Sequence, residues 1–183
     1  MSEQKLGQLN IIAAVYGLQT VTEQIRNLIT DGSPQTLSFI VNNKSIGEDG
    51  WVGQMKSITI VYDYDNGDLH VATAIEGDTI SINPDKLGSQ RPFIPEPFSG
   101  NNSLSVLAAT YGPDDVTYKI KSFISSYNTL SFHVDNTTFG DPWYGIAKTL
   151  VIVLGKDHDV SAVEIFTERE NCYIDLNEVI PTI

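Results

Sequence analysis

The hydrophobic pattern of the chain predicts short strands, and it predicts them twice. An apolar run over residues 9–17 ends in a Tyr-Gly turn, and a similar run over residues 104–112 ends in the same way. The longest β-branched runs, residues 56–63 and 148–154, also occupy corresponding places in the two halves of the chain. Apolar runs of this length bounded by Gly, Asn and Asp are typical of buried strands.

One segment of each half has a different period. Residues 21–29 and 116–124 begin with a Val-Thr pair and carry apolar side chains at positions i, i+4, i+7 and i+8, counted from that valine. This spacing favours one short helix in each half. The β-branched content of the segment leaves an irregular strand as the alternative.

The order of these patterns predicts the fold class. Five short strands in each half, with turn signals every few residues, indicate a mainly β protein made of two homologous small antiparallel β-sandwich or barrel-like repeats. We expect the repeats at residues 5–84 and 104–183, with a Pro-rich connector over residues 85–103. A repeat of this size buries little apolar surface alone, so an intramolecular pseudo-dimer with a shared face is expected.

The net charge of the chain disfavours two classes of binding partner. The 183 residues include 23 acidic and 11 basic side chains, for a net charge of -12. Binding to nucleic acid or to anionic lipid needs clustered Lys and Arg, so both partners are disfavoured. There is no apolar run of membrane-spanning length, which predicts no membrane insertion and a cytoplasmic location, with signal-less secretion as the other route. The single cysteine, Cys172, cannot form an internal disulfide and is interpreted as a strand residue.

Candidate binding chemistry lies in a turn that occurs in both halves. In each copy Asn, Asp and Gly lead through a Trp to a Gly and then to a Lys. An accessible Trp beside amides and carboxylates suits a sugar, because the ring covers the C–H face of a pyranose while polar groups bind its hydroxyls. The candidate ligand-binding residues are Asn43, Asp49, Trp51, Lys56, Asn136, Asp141, Trp143 and Lys148. This interpretation predicts a lectin-like protein whose partner is a glycan or a protein surface.

A structural interpretation explains the same turn without a ligand. Glycines allow tight turns, and the stems of Lys56 and Lys148 could lie along apolar surface while the ammonium groups reach water. On this alternative the chain is a structural or self-assembling β-sandwich protein, with homo-oligomers as a candidate state, and it binds no small ligand.

Acidic loops make calcium a further candidate. Hard oxygen ligands recur in the hairpin loop that follows the strongest strand of each half. Carboxylate oxygens of this kind bind Ca²⁺, although the spacing is not that of an EF-hand. The candidate metal ligands are Asp63, Asp65, Asp68, Asp157 and Asp159.

Catalysis has little support in the sequence. His70, His133 and His158 are scattered, and the known nucleotide-binding, zinc-protease and dithiol motifs are missing. Glu76 and Glu168 recur at the same place, but a paired-carboxylate glycosidase needs both acids across one cleft. We therefore predict no enzyme activity and no organic cofactor.

The order of the recurrent residues resembles a known module. It is similar to the β-rich domain at the C-terminus of a mitochondrial J-domain co-chaperone and to related stand-alone or accessory modules of fungal and bacterial proteins. The matching residues are Ala109, Tyr111, Gly112, Asp115, Val116, Thr117, Gly140, Asp141, Pro142, Gly145, Lys148 and Leu150, and, in the first half, Ala14, Tyr16, Gly17, Val21, Thr22, Gly47, Gly53, Lys56 and Ile58. The resemblance implies a non-catalytic β-sandwich module. The first half departs from it at residues 48–50, and the chain contains no J domain.

Overall fold

A computed structural model describes residues 7–86, 104–156 and 158–177. The first half contains β1 (Leu9–Tyr16), β2 (Gln19–Thr20), α1 (Thr22–Arg26), β3 (Leu37–Ile40), α2 (Asn43–Ile46), β4 (Ser57–Tyr64), β5 (His70–Ile75) and β6 (Thr79–Ile82). The second half contains β7 (Ser105–Tyr111), β8 (Asp114–Asp115), α3 (Thr117–Ser122), β9 (Thr129–His133), α4 (Asn136–Phe139), β10 (Thr149–Lys156), β11 (Asp159–Thr167) and β12 (Asn171–Asp175).

The prediction of a mainly β fold is confirmed, because antiparallel sheets with a few short helices make up the described chain. Both halves have the same order of elements. The Val-Thr segment is helical in each half, as α1 and α3. A second short helix, α2 or α4, precedes the recurrent turn of each half, in addition to the helix that the apolar spacing predicted.

Each half consists of a large sheet and a small one. The large sheets have the orders β2-β1-β4-β5 and β8-β7-β10-β11, while β3 pairs with β6 and β9 pairs with β12. The register shifts at the same place in both large sheets, next to Ile12 of β1 and Leu107 of β7. The strand path and its irregularity are therefore the same in the two halves.

A core lies between the large and small sheets of each half. In the first half it includes Ile58 and Ile60 of β4, Leu37 of β3, Ile82 of β6 and Ile25 of α1. Because side chains alternate along a strand, the other face of β4 is turned away from this core. That second face is buried as well, so β4 and β10 are buried along almost their whole length rather than at alternate positions.

The second faces of the two large sheets pack against each other. A third core joins the halves and includes Ala13, Val61, Ala108 and Val153. Hydrogen bonds accompany it at its edges and centre: Thr59 Oγ1 lies 2.6 Å from Thr110 Oγ1, and His158 Nδ1 lies 3.2 Å from Asp63 Oδ2. The large sheets thus form the middle of the molecule, and the small sheets lie on the outside.

The predicted connector falls mostly outside the described residues. Pro84–Lys86 form a short 3-10 helix after β6, and residues 87–103 are not described.

Candidate functional site

The recurrent turn lies between the second helix of each half and the strand that follows it. Asn42 caps α2 by accepting a hydrogen bond from the Ser45 amide at 2.8 Å, and Asp135 caps α4 by accepting one from the Thr138 amide at 2.7 Å. Such caps satisfy amides that a helix cannot pair internally, and so they define where each helix begins. The turn therefore starts from a fixed point in both halves.

The lysine at the end of the first turn is buried. Lys56 is only 3% exposed, and its ammonium lies 3.0 Å from Asp49 Oδ1 and 3.3 Å from Glu76 Oε2. It also donates hydrogen bonds to the carbonyl oxygens of Gln54 at 2.9 Å and Trp51 at 3.5 Å. Two carboxylates and two carbonyls thus replace the water that the charge would have outside the protein.

The second half repeats this arrangement. Lys148 is 2% exposed, and its ammonium lies 2.9 Å from Asp141 Oδ1 and 3.4 Å from Glu168 Oε2. The carbonyl oxygens of Ile146 and Trp143 accept hydrogen bonds from it at 2.8 and 3.4 Å. We call these two clusters, each made of a Lys, an Asp, a Glu and two carbonyls, the lysine sites.

A buried tyrosine lies close to each ammonium group. Lys56 Nζ is 5.3 Å from the centre of the Tyr16 ring, and Lys148 Nζ is 5.8 Å from that of Tyr111, within the range of cation–π attraction. The Tyr16 hydroxyl donates to Asn43 Oδ1 at 2.9 Å. Burial raises the pKa of Tyr16, and the negative charges of Glu76 and Asp49 raise it further, so this hydroxyl stays protonated.

The tyrosine of the second half is held in the same way. Its hydroxyl donates to Asn136 Oδ1 at 2.8 Å. Burial raises the pKa of Tyr111, and the negative charges of Glu168, Asp135 and Asp141 act in the same direction. Both asparagines therefore serve as acceptors inside the fold rather than as free amides.

The lysine stem explains the glycine after each tyrosine. Gly17 has φ +61°, and a Cβ there would lie 3.0 Å from Cδ of Lys56. Gly112 has φ +55°, and a Cβ would lie 3.1 Å from Cγ of Lys148. The left-handed conformation and the passing lysine stem both exclude a side chain, so the Tyr-Gly pair belongs to the lysine site.

These contacts correct the expectation that the two ammonium groups reach water. A buried charge is tolerated only when it is paired and hydrogen-bonded, and each lysine meets that condition with four acceptors. The structure also brings together predicted residues, Asn43, Asp49 and Lys56, with two that were not assigned to the site, Tyr16 and Glu76. Their recurrence at corresponding positions in the second half was the signal that could have identified them.

The two tryptophans contribute their backbone to the lysine sites. Trp51 and Trp143 are half-buried, and their carbonyl oxygens accept hydrogen bonds from the lysines. The residues after them are far more accessible: Val52 is 80% exposed and Tyr144 is 92% exposed. The accessible aromatic ring of the second turn is thus that of Tyr144.

An open pocket of about 440 Å³ adjoins the second lysine site. The backbone of the turn forms one side of it, and polar side chains contribute to the rest. Its lining residues are Asn136, Gly145, Ile146, Ala147, Lys148, Glu168 and Arg169. Because Lys148 fixes both the turn and Glu168, the walls of this pocket are held by the buried ion pairs.

The predicted calcium ligands make structural hydrogen bonds. Asp63 is fully buried, and its Oδ1 accepts from Asn10 Nδ2 at 2.8 Å and from the Asn66 amide at 2.9 Å. Asp65 accepts from the amides of Gly7 and Gln8.

The other predicted ligands lie at the surface or outside the described residues. Asp68 and Asp159 are exposed, and Asp157 lies outside the described residues. Within the described ranges there is no group of three or more His, Cys, Asp or Glu side chains that could hold a metal ion. The calcium site stays a prediction.

Burial shifts the pKa of two side chains outside the recurrent turns. It raises the pKa of the Cys172 thiol to about 12. It lowers the pKa of His70, whose ring centre lies 5.4 Å from that of Tyr62. Neither side chain belongs to a lysine site.

Comparisons with known proteins gave no match to a family, to a curated protein or to a solved structure. The resemblance to the co-chaperone domain stays a prediction. Of the helices that the structure describes, none has the length and apolar character required to cross a membrane.

Proposed function

We propose that this protein is a non-catalytic binding protein that takes a carbohydrate in the pocket beside Lys148. The observation that carries the proposal is the pocket itself: its volume lies within the range of about 300–1,000 Å³ that is usual for ligand sites, and hydrogen-bonding groups line it. Asn136, Glu168 and Arg169 offer both donors and acceptors at its surface. A sugar ring presents hydroxyl groups that use both kinds of partner.

The surroundings of the pocket support a sugar over a charged metabolite. Lys148 already has two carboxylate partners, so its charge is not free to attract an anion. The exposed ring of Tyr144 follows Trp143 in the same turn and could cover the apolar face of a pyranose. The net charge of -12 further disfavours phosphate and sulfate esters.

The first half supports a weaker or different site. In place of Tyr144 its turn exposes Val52, and Met55 is 46% exposed nearby. Aliphatic side chains give no flat ring on which a sugar can stack. We therefore assign carbohydrate binding to the second half, rather than equally to both turns.

A glycan array tests the proposal, and one hit then serves as the titrant. Replacement of Trp51 by Phe leaves Trp143 as the only tryptophan, and its fluorescence reports binding at the second turn. Tyr144→Ala should raise the dissociation constant about threefold to tenfold through the lost stacking. Arg169→Asn should also weaken binding, and Asn is chosen because Arg169 has φ +80°.

Val52→Ala in the first turn is the matched control and should leave affinity unchanged. A complete lack of binding on the array, or a Tyr144→Ala protein that binds as well as its parent, would overturn the proposal.

The second candidate is a structural or self-assembling protein without a small ligand. It is favoured by the way the lysine sites use Asn43, Asp49 and their counterparts internally. This candidate predicts no glycan binding and a molecular mass in solution that rises with concentration. Light scattering after gel filtration distinguishes the two, since the binding protein needs no concentration-dependent assembly.

Calcium binding and a cytoplasmic location are retained as proposals. Thermal unfolding with calcium and with a chelator tests the first. A melting temperature that is the same in both conditions would contradict calcium binding. Fractionation of cells that produce the protein tests the second.

A further inference from the structure

Both lysine sites place the same three reactive groups in contact. In each, an amine lies about one hydrogen bond from an aspartate and slightly farther from a glutamate: 3.0 and 3.3 Å for Lys56, 2.9 and 3.4 Å for Lys148. The amine nitrogen is almost fully buried, whereas the carboxyl groups are partly accessible. An amine, a carboxyl group and a second carboxyl group are the reactants and the proton carrier of amide formation.

We propose that Lys56 condenses with Asp49, and Lys148 with Asp141, to form side-chain amide bonds within the folded chain. Glu76 and Glu168 are the respective proton carriers. The inference does not rest on carbohydrate binding, and either proposal can fail alone.

The reaction balances without any co-reactant. The lysine ammonium first passes a proton to the aspartate carboxylate, which gives a neutral amine and a neutral acid. The amine nitrogen then attacks the aspartate Cγ and forms the C–N bond. The glutamate takes a proton from this nitrogen and delivers it to the departing hydroxyl, so the Cγ–O bond breaks, one water leaves, and the glutamate is again a carboxylate.

Proximity lowers the entropic cost of bringing the reacting groups together. Amide formation from separate partners in water is unfavourable, but well-aligned groups within one molecule reach effective molarities of about 10⁵–10⁸ M. The fold holds each pair in contact through the strand that begins directly after the lysine and the helix before the turn. The water that is produced has a path out, because about a third of each aspartate side chain is exposed, 36% for Asp49 and 31% for Asp141.

The ion pair is the resting form of each site. Four acceptor oxygens lie within 3.5 Å of each ammonium, and all of them favour the charged lysine. The hydrogen bond from Lys56 lowers the pKa of Asp49, so the ion pair is the major form and the reaction is expected to be slow.

Intact mass spectrometry of the purified full-length chain tests the proposal. We expect the loss of one water for each bond, increasing with incubation at a temperature below the unfolding transition. Fragmentation should locate the loss in a branched peptide that joins Lys148 to Asp141, and in another that joins Lys56 to Asp49. A chain that keeps its full mass after prolonged incubation overturns the proposal.

The second half gives the decisive site because a competing reaction is blocked there. An Asp followed by Gly, as at Asp49-Gly50, can also lose water by forming a cyclic imide with the next backbone nitrogen. Asp141 precedes Pro142, which has no N–H, so this route is closed. Water loss that maps only to the linear Asp49-Gly50 peptide would contradict the proposal.

Glu168→Gln provides the matched variant. Gln accepts hydrogen bonds but cannot carry the proton, so the bond at Lys148 should fail to form while the bond at Lys56 in the same molecule forms as before. Glu76→Gln should give the reverse. Equal water loss at both sites in either variant would show that the glutamates are not the proton carriers. Lys148→Arg should abolish the branched peptide at the second site while keeping the positive charge.

Discussion

The two halves hold a buried lysine with the same groups, yet they build the turn around it differently. In the first half the Gly50 carbonyl accepts a hydrogen bond from the Leu18 amide, and the turn lies directly on Tyr16. In the second half Pro142 occupies the corresponding position, and an open pocket adjoins the site. The buried ion pairs are thus the same in both turns, whereas the residues around them differ between the two halves.

The neighbouring cores differ in the same manner. Ile46 at the end of α2 is replaced by Phe139 at the end of α4. The Phe139 ring centre lies 5.1 Å from that of Tyr111, and the ring packs edge-on against Phe132 at 5.6 Å and Phe123 at 6.2 Å. Both cores contain tyrosine, but at the position of Phe139 the first half has an aliphatic side chain.

The largest expected effect comes from removing either lysine charge. Lys56→Met or Lys148→Met leaves two carboxylates close together without their cation, which should lower the free energy of unfolding by about 3–5 kcal/mol. Urea denaturation measures it. Lys44→Met, at an exposed position of α2, is the control and should change stability little. If one lysine proves dispensable, the equivalence of the two sites is wrong.

Gly50→Ala should have the next largest effect, because a Cβ at this position would lie 1.8 Å from the Tyr16 carbonyl oxygen. The backbone must shift, with a loss of about 2 kcal/mol or more in unfolding free energy. Pro142→Ala tests the corresponding position and should cost less than about 1 kcal/mol. Equal costs at the two positions would mean that the turns do not differ as described.

A smaller effect is expected where the halves meet. Thr110→Val leaves the buried hydroxyl of Thr59 without its partner and should cost about 1–3 kcal/mol in unfolding free energy. The double variant Thr59→Val with Thr110→Val should recover most of that loss, because no polar group then stays unpaired. Denaturation of the four proteins completes the cycle, and strictly additive effects would show that the two hydroxyls do not interact.

The smallest effect concerns acid stability. The amide of Thr138 bonds to the Asp135 carboxylate and lowers its pKa below the ordinary value of 3.8. A depressed pKa stabilises the fold above the ordinary value, and this contribution is lost as the pH falls through the lowered one. Asn42, the corresponding cap of α2, has no such dependence.

Asp135→Asn should therefore flatten the acid side of the stability curve without shifting the neutral side much. Melting temperatures between neutral and acid pH provide the measurement. An unchanged acid slope in this variant would assign the pH dependence to other carboxylates, such as Asp49.

The sequence pattern predicts the elements well because strand and helix periods are local. The β-branched runs became β4 and β10, and the Val-Thr segments became α1 and α3. Helices α2 and α4 could not be read in the same way. Each is four residues long and depends on a side-chain cap rather than on apolar spacing.

Burial of the lysines was harder to predict, since it depends on groups distant in sequence. Glu76 reaches Lys56 from the turn after β5, and Tyr16 reaches it from β1. A lysine next to a strand is usually solvated. The composition of one segment cannot show that side chains from three segments surround the ammonium group. The recurrence of Tyr, Asn, Asp, Lys and Glu in both halves was the available evidence.

Each half encloses one lysine nitrogen in an equivalent buried site. NMR of protein labelled with nitrogen-15 at the lysine side chains detects such sites, since buried Nζ protons exchange slowly with water. We expect two protected Nζ signals at neutral pH, of which Lys56→Arg removes one and Lys148→Arg the other. A spectrum in which every lysine nitrogen exchanges rapidly, or only one is protected, would contradict it.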